Sequence, residues 1–247
     1  MQQLTARTTF VTIGIVLLCA SAVLYVTDRY GAANRVVAVV APLQSLTGSK
    51  QLVENPSDAY RVWKSAGFTG RTVLFISDRW ESFDPGELIP AQLFRAYPLQ
   101  LYNTAKLLED DHLNGTTFVY VASMNKIIRT IVALLPEDEV KRLADTARKS
   151  KFYKISDRGV WLSRQGVSRW YTTGSKFSRV EEPVLLYVGA SYFKKYEPSE
   201  LYRQLIQSGQ RTDCLILCNE RGKDTVTPRE IAKLAEFGRL VGVAVGG

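Results

Sequence analysis

Residues 184–201 read VLLYVGASYFKKYEPSEL. Val184 to Val188 form a continuous apolar run without polar alternation, as a parallel strand covered on both faces requires. Glu197-Pro198-Ser199-Glu200-Leu201 then opens a helix. Proline at the first helical position sacrifices no hydrogen bond, and glutamate in the first turn meets the positive end of the helix dipole. The same grammar recurs on either side. Thr72-Val-Leu-Phe-Ile-Ser77 precedes Asp84-Pro85-Gly86-Glu87-Leu88, and Cys214-Leu-Ile-Leu-Cys218 precedes Thr227-Pro228-Arg229-Glu230-Ile231. Thr117-Phe-Val-Tyr-Val-Ala122 reads as a further buried strand, and Arg35-Val-Val-Ala-Val-Val-Ala41, ended by Pro42, as a first one. Residues 43–57, with Gly48, Asn55 and Pro56, read as a loop.

Helical periodicity fills the gaps between these runs. Val140, Leu143, Ala144 and Ala147 follow the i, i+3, i+4, i+7 spacing, as do Ile231, Leu234, Ala235 and Gly238. Pro98 and Pro136 are expected to divide longer helical stretches. Phe152 to Ser163 (FYKISDRGVWLS) differs: two short runs flank Asp157-Arg158-Gly159, the pattern of an inserted β-hairpin. Strand-then-helix repetition predicts an α/β domain with a mostly parallel sheet of about five or six strands and helices on both faces. The arrangement is Rossmann-like or flavodoxin-like in kind.

Upstream of that domain, Thr8 to Thr27 (TTFVTIGIVLLCASAVLYVT) carries no charge. Twenty helical residues span the hydrocarbon of a bilayer, about 30 Å. The reading is a membrane anchor over 1–27, one amino-terminal transmembrane helix, a polar neck over 28–34, and a single α/β domain over 35–247 with the basic hairpin insertion near 151–180. The alternative is a cleaved signal peptide, since Ala20-Ser21-Ala22 has the small-x-small form of a cleavage site. Against cleavage, the apolar run continues through Val26. A short head before a long domain places that domain on the outer, extracytoplasmic or periplasmic side of a cell membrane. Cys214 and Cys218 lie four residues apart in a strand, about 13 Å, too far to bridge.

The net charge of +8 is concentrated. Lys141 to Arg179 hold eleven Lys or Arg against two Asp, while the remaining 208 residues hold 21 basic and 22 acidic side chains. Lys141, Arg142, Arg148, Lys149 and Lys151 suit the carboxyl end of a helix. Lys154, Arg158, Arg164, Arg169, Lys176 and Arg179, interleaved with Trp161, Trp170 and Tyr171, have no such explanation. Arginine and lysine beside tryptophan suit an anionic partner, whether protein, envelope polymer or lipid headgroup.

Catalytic signatures are sparse. The single histidine, His112, lies in the polar run Glu109 to Gly115, which disfavours a Ser-His-Asp arrangement or a histidine metal site. No phosphate-binding glycine loop, dinucleotide fingerprint or nucleophile elbow is present, so no cofactor is implied and no metal. Polar residues collect after the expected strands: Ser77, Asp78 and Arg79; Ser123, Asn125 and Lys126; Ser191 and Tyr192; Asn219, Glu220, Arg221 and Lys223. In a parallel sheet such tips share the ligand-collecting edge. Asp78 and Glu220 there form a candidate carboxylate pair, with Arg79 and Lys126 as an anion clamp.

Two functions follow as expectations. The first is a membrane-anchored binding or assembly module that engages a protein partner, an anionic envelope polymer or lipid headgroups through Lys154, Arg158, Trp161, Arg164, Arg169, Trp170 and Lys176. The alternative is a membrane-anchored transferase or hydrolase acting on a phosphorylated or glycosyl substrate. Nucleic acid conflicts with an outward-facing domain.

Overall fold

The three runs that open this reading lie side by side at the centre of the sheet, and their sequence explains why. In β2 (Arg71–Ile76), β7 (Val184–Gly189) and β8 (Thr212–Cys218) nearly every residue is buried, because helices cover the sheet above and below. The computed structural model describes residues 48–78, 109, 113–149, 152–164, 167–221 and 226–243. All belong to the unit Pro42–Gly247. The expected membrane span, the neck and the strand at Arg35–Ala41 lie outside these residues, as do the helix opening at Asp84–Leu88, His112, Arg79 and Lys223. Among the described residues no helix is long and apolar enough to cross a membrane.

Among the described residues five further strands join the sheet: β1 (Ser49–Val53), β3 (Ile128–Leu134), β4 (Tyr153–Ser156), β5 (Gly159–Arg164) and β6 (Val167–Thr172). Their order is β1-β8-β7-β2-β3-β6-β5-β4. The pairings from β1 through to β6 are parallel, and β5 and β4 add antiparallel strands at one edge. The sheet is therefore mixed but mostly parallel. The run expected as an inserted hairpin is the first part of a β4–β5–β6 meander that belongs to the sheet itself.

Helices α1 (Pro56–Ser65), α2 (Phe118–Met124) and α3 (Glu137–Ala147) cover one face. Trp63, Phe118, Phe75 and Tyr187 pack together there. Helices α4 (Pro198–Ser208) and α5 (Pro228–Leu240) cover the other, through Leu201, Leu205, Leu234 and Phe237. Each such side chain contributes about 1.5–3 kcal/mol by leaving water. Both of the helix openings read in this part of the chain are in place. Pro198 follows the N-cap Glu197, and Thr227 forms a capping box with Glu230.

Three expectations are corrected. Thr117 to Ala122 is not a strand: Phe118 begins α2, whose start is held by Asn114 Oδ1 accepting from the Thr116 and Thr117 amides. Phe118 to Ala122 are all buried, and a short run buried all round has the same composition in either conformation. The missing strand is β3, ten residues on. Pro136 accordingly breaks no helix; it is the N-cap of α3, just past the end of β3. Finally, the segment read as a loop contains β1, whose polar sequence SKQLV suits a half-exposed edge strand, and the start of α1.

Candidate functional site

The meander is built by a two-residue turn. Ser156 pairs with Gly159 across Asp157-Arg158. Gly159 has φ +138°, and an added Cβ would lie 2.1 Å from the Tyr171 carbonyl oxygen, so only glycine fits. The Arg158 carbonyl accepts hydrogen bonds from Trp170 Nε1 (3.3 Å) and Thr172 Oγ1 (2.7 Å), tying the turn to β6.

Strand alternation then sorts the side chains. Val160, Leu162, Val167 and Tyr171 join the core on the α3 side. Trp161 and Trp170, directly opposite each other in β5 and β6, emerge on the other face. Their rings stack with centroids 5.0 Å apart and planes 2° from parallel. Phe177 extends the stack, 6.2 Å from Trp170. Trp170 is 6% exposed, whereas Trp161 is 40% exposed. Among the described residues the exposed large apolar side chains are Phe152, Ile155, Trp161 and Leu240, and the first three belong to this edge.

Three cations lie beside the stack in register or in sequence. Lys154 is the cross-strand partner of Trp161, Arg158 occupies the turn, and Lys176 precedes Phe177. All three are exposed, and none has a carboxylate partner among the described residues. By contrast, Arg142 and Arg148 on α3 pair with Glu139 and Asp145 along their own helix.

The other sequence candidates fall elsewhere. Arg169 lies one residue before Trp170 and therefore on the opposite face, 3% exposed, between Ile131 and Leu162 in register. Its Nε has no hydrogen-bond partner. Arg164 closes β5 opposite Val167, and its side chain is outside the described residues, as is Arg79. Lys126, with φ +59°, lies in the turn before β3, where its carbonyl accepts from the Gly70 amide. That turn is at the amino edge of the sheet, whereas Asp78 follows β2 at the carboxyl edge.

Asp78 and Glu220 are brought to one place. Chain order reverses between β2 and β7: β2 leads toward β3 on one side, and β7 leads through α4 to β8 on the other. Such a switch opens a crevice at the carboxyl ends of the strands. Ser191, just after β7, stands in it. Its Oγ lies 3.3 Å from Ser77 Oγ and accepts from the Asp78 amide at 3.4 Å; its own amide donates to Glu220 Oε2 at 2.8 Å. Lys194 holds the Asp78 carboxylate at 3.1 Å. Glu220 is 2% exposed with φ +53°, and an added Cβ on Gly189 would lie 2.5 Å from its Oε1. Glycine at 189 is what lets the carboxylate approach. Nearby, burial pushes the Cys218 thiol up to about 12 and raises the Tyr192 phenol.

Sequence reasoning did not join Phe177 to the two tryptophans, nor Ser191 to the Glu220 carboxylate and the Asp78 amide. The spacing of Trp170 and Phe177 carries no strand period, since the chain leaves β6 between them. Sequence alone places Ser191 among the polar strand ends and gives it no partner. Among the described residues no three His, Cys, Asp or Glu side chains gather to hold a metal ion. Comparison with known proteins gives no match: no family model, no curated protein and no solved structure aligns with this chain.

Proposed function

We propose that this chain is a binding or assembly module that engages an anionic partner through the Trp161–Trp170–Phe177 stack and the cations around it. One observation carries the reading: a solvent-facing indole, backed by two further rings, stands among Lys154, Arg158 and Lys176, none of which is neutralised by a neighbouring carboxylate. Exposed cations without a carboxylate also occur elsewhere on the described surface, Lys141, Arg203 and Arg229 among them, so the stacked rings beside the three cations are what set this edge apart. The proposal includes attachment to a cell membrane through Thr8–Thr27, with the α/β domain on the outer side, because that segment is apolar over a bilayer's thickness. The test is retention of the full chain on a heparin column, with Lys154→Ala, Arg158→Ala and Lys176→Ala combined. Elution should move to lower salt. Unchanged elution removes the reading.

A second reading rests on Glu220, a buried carboxylate on a left-handed backbone joined to Asp78 through Ser191. Non-glycine residues in that conformation cluster at functional sites. It supports a transferase or hydrolase acting on a phosphorylated or glycosyl substrate, with Asp78 as the base. Turnover of p-nitrophenyl phosphate or p-nitrophenyl glycosides, lost in Asp78→Asn, supports it; an inert wild-type chain ends it.

A further inference from the structure

Phe177 has two roles. It ends the aromatic stack, and it also lines a cleft of about 440 Å³ between the 3-10 turn Gly174–Lys176 and helix α4. The α4 side of this cleft is a polar stripe: Glu200, Arg203, Gln204 and Gln207 follow the i, i+3, i+4, i+7 spacing that puts four residues on one helix face. Ser175 faces them from the turn. Donors and acceptors alternate along this wall, and Phe177 supplies the apolar surface.

Gln204 is the informative member. Its Nε2 lies 3.4 Å from Glu200 Oε1, but its Oε1 is buried without a hydrogen-bond partner. That oxygen rests against Gly174, where an added Cβ would lie only 2.3 Å away. A buried acceptor left without a donor is destabilising, because it has lost its water and gained nothing in return. The amide recovers that cost when it turns toward the cleft and meets a donor there.

We infer that the cleft and the stack together bind an acidic oligosaccharide. The inference rests on the binding reading above and names its ligand. A sugar ring has an apolar C–H face that packs on an aromatic ring and hydroxyls around its rim that both donate and accept. That combination matches Phe177 facing a stripe of amides, a carboxylate and a guanidinium. An acyl chain finds too little apolar wall here. A nucleic-acid backbone, charged at every residue, meets the Glu200 carboxylate. An acidic saccharide satisfies both ends: a neutral ring in the cleft, and carboxylate or sulfate groups near Lys176, Arg158 and Lys154 at the Trp161 end. A ligand spanning both ends has several sugar units.

The experiment titrates the full chain in detergent with a size-defined heparin hexasaccharide, a neutral dextran hexasaccharide and inorganic polyphosphate, following tryptophan fluorescence and heat. The heparin fragment should bind saturably. Gln204→Ala and Gly174→Ala, the latter displacing the Gln204 amide, should each weaken it at least tenfold while leaving polyphosphate binding unchanged, and Gln204→Ala should not lower the thermal midpoint. Gln207→Ala provides the same readout should either variant fail to fold. Equal binding of polyphosphate and heparin fragment, unaffected by these cleft variants, overturns the saccharide assignment and leaves the anion-binding reading standing. No binding of either polyanion overturns both. Tighter binding of the neutral dextran than of the heparin fragment overturns the acidic part of the assignment.

Discussion

Trp161 and Trp170 face each other across neighbouring strands with nearly parallel, stacked rings, yet one is open to solvent and the other is enclosed. The inner indole is anchored by its Nε1 to the Arg158 carbonyl and backed by Phe177. The outer one is held by stacking alone on one side and is free on the other. A stack of this kind separates an enclosed ring from an exposed one.

Trp170→Ala should therefore destabilise the domain by about 3–5 kcal/mol, the cost of truncating a buried aromatic. Trp161→Ala should cost about 1 kcal/mol, near the value of the stacking itself, and yet reduce retention on a polyanion. Urea unfolding of the two variants, alongside column retention, checks the contrast.

Arg169→Met should raise stability by about 1 kcal/mol or more. The guanidinium is nearly enclosed between Ile131 and Leu162, and its Nε is unpaired. An unbranched apolar side chain of similar length removes the desolvation cost and keeps the packing. A higher denaturation midpoint with unchanged heparin retention is the expected result, since Arg169 lies on the face away from the stack.

Much of this was legible beforehand, and the parts that were not share a cause. The runs at 184–188 and 214–218 are uninterrupted, so burial on both faces could be read directly. The run at 118–124 has the same composition but is a helix, because total burial erases the period that separates the two. β3 begins Ile128-Arg129-Thr130, and its polar start concealed it. At the basic segment, composition placed Arg169 and Trp170 in one patch. The pleat sends neighbours to opposite faces, and only the register of β6 decides which.

Glu182 gives a pH signature. The Thr72 hydroxyl that donates to its carboxylate, and next Arg129 at 2.5 Å, hold it below the ordinary value of 4.5. A group depressed in the folded state stabilises fully above its unfolded value, and that contribution is lost as pH falls through the folded one. Glu182→Gln should thus lower the thermal midpoint at pH 7, with the gap closing progressively below about pH 4.5. Midpoints measured from pH 7 to pH 3 test it.

The thiols of Cys214 and Cys218 should resist alkylation in the folded protein. Both are buried on β8, and burial raises both, Cys218 to about 12, so almost no thiolate exists at pH 8. Iodoacetamide followed by peptide mass analysis should show these two positions unlabelled until denaturant is added.

The two edges of the sheet are assembled from very different distances along the chain. The β4–β5–β6 corner is made by consecutive residues turning back on themselves, so its contacts close small loops at little entropic cost. At the far edge Ser49 aligns with Cys214 and Val53 with Cys218, so the first strand has no seat until nearly the last one is laid down. A nascent chain leaving the ribosome would carry the stacked tryptophans in place while β1 was still waiting, and a nonsense mutation upstream of Thr212 would strand it for good.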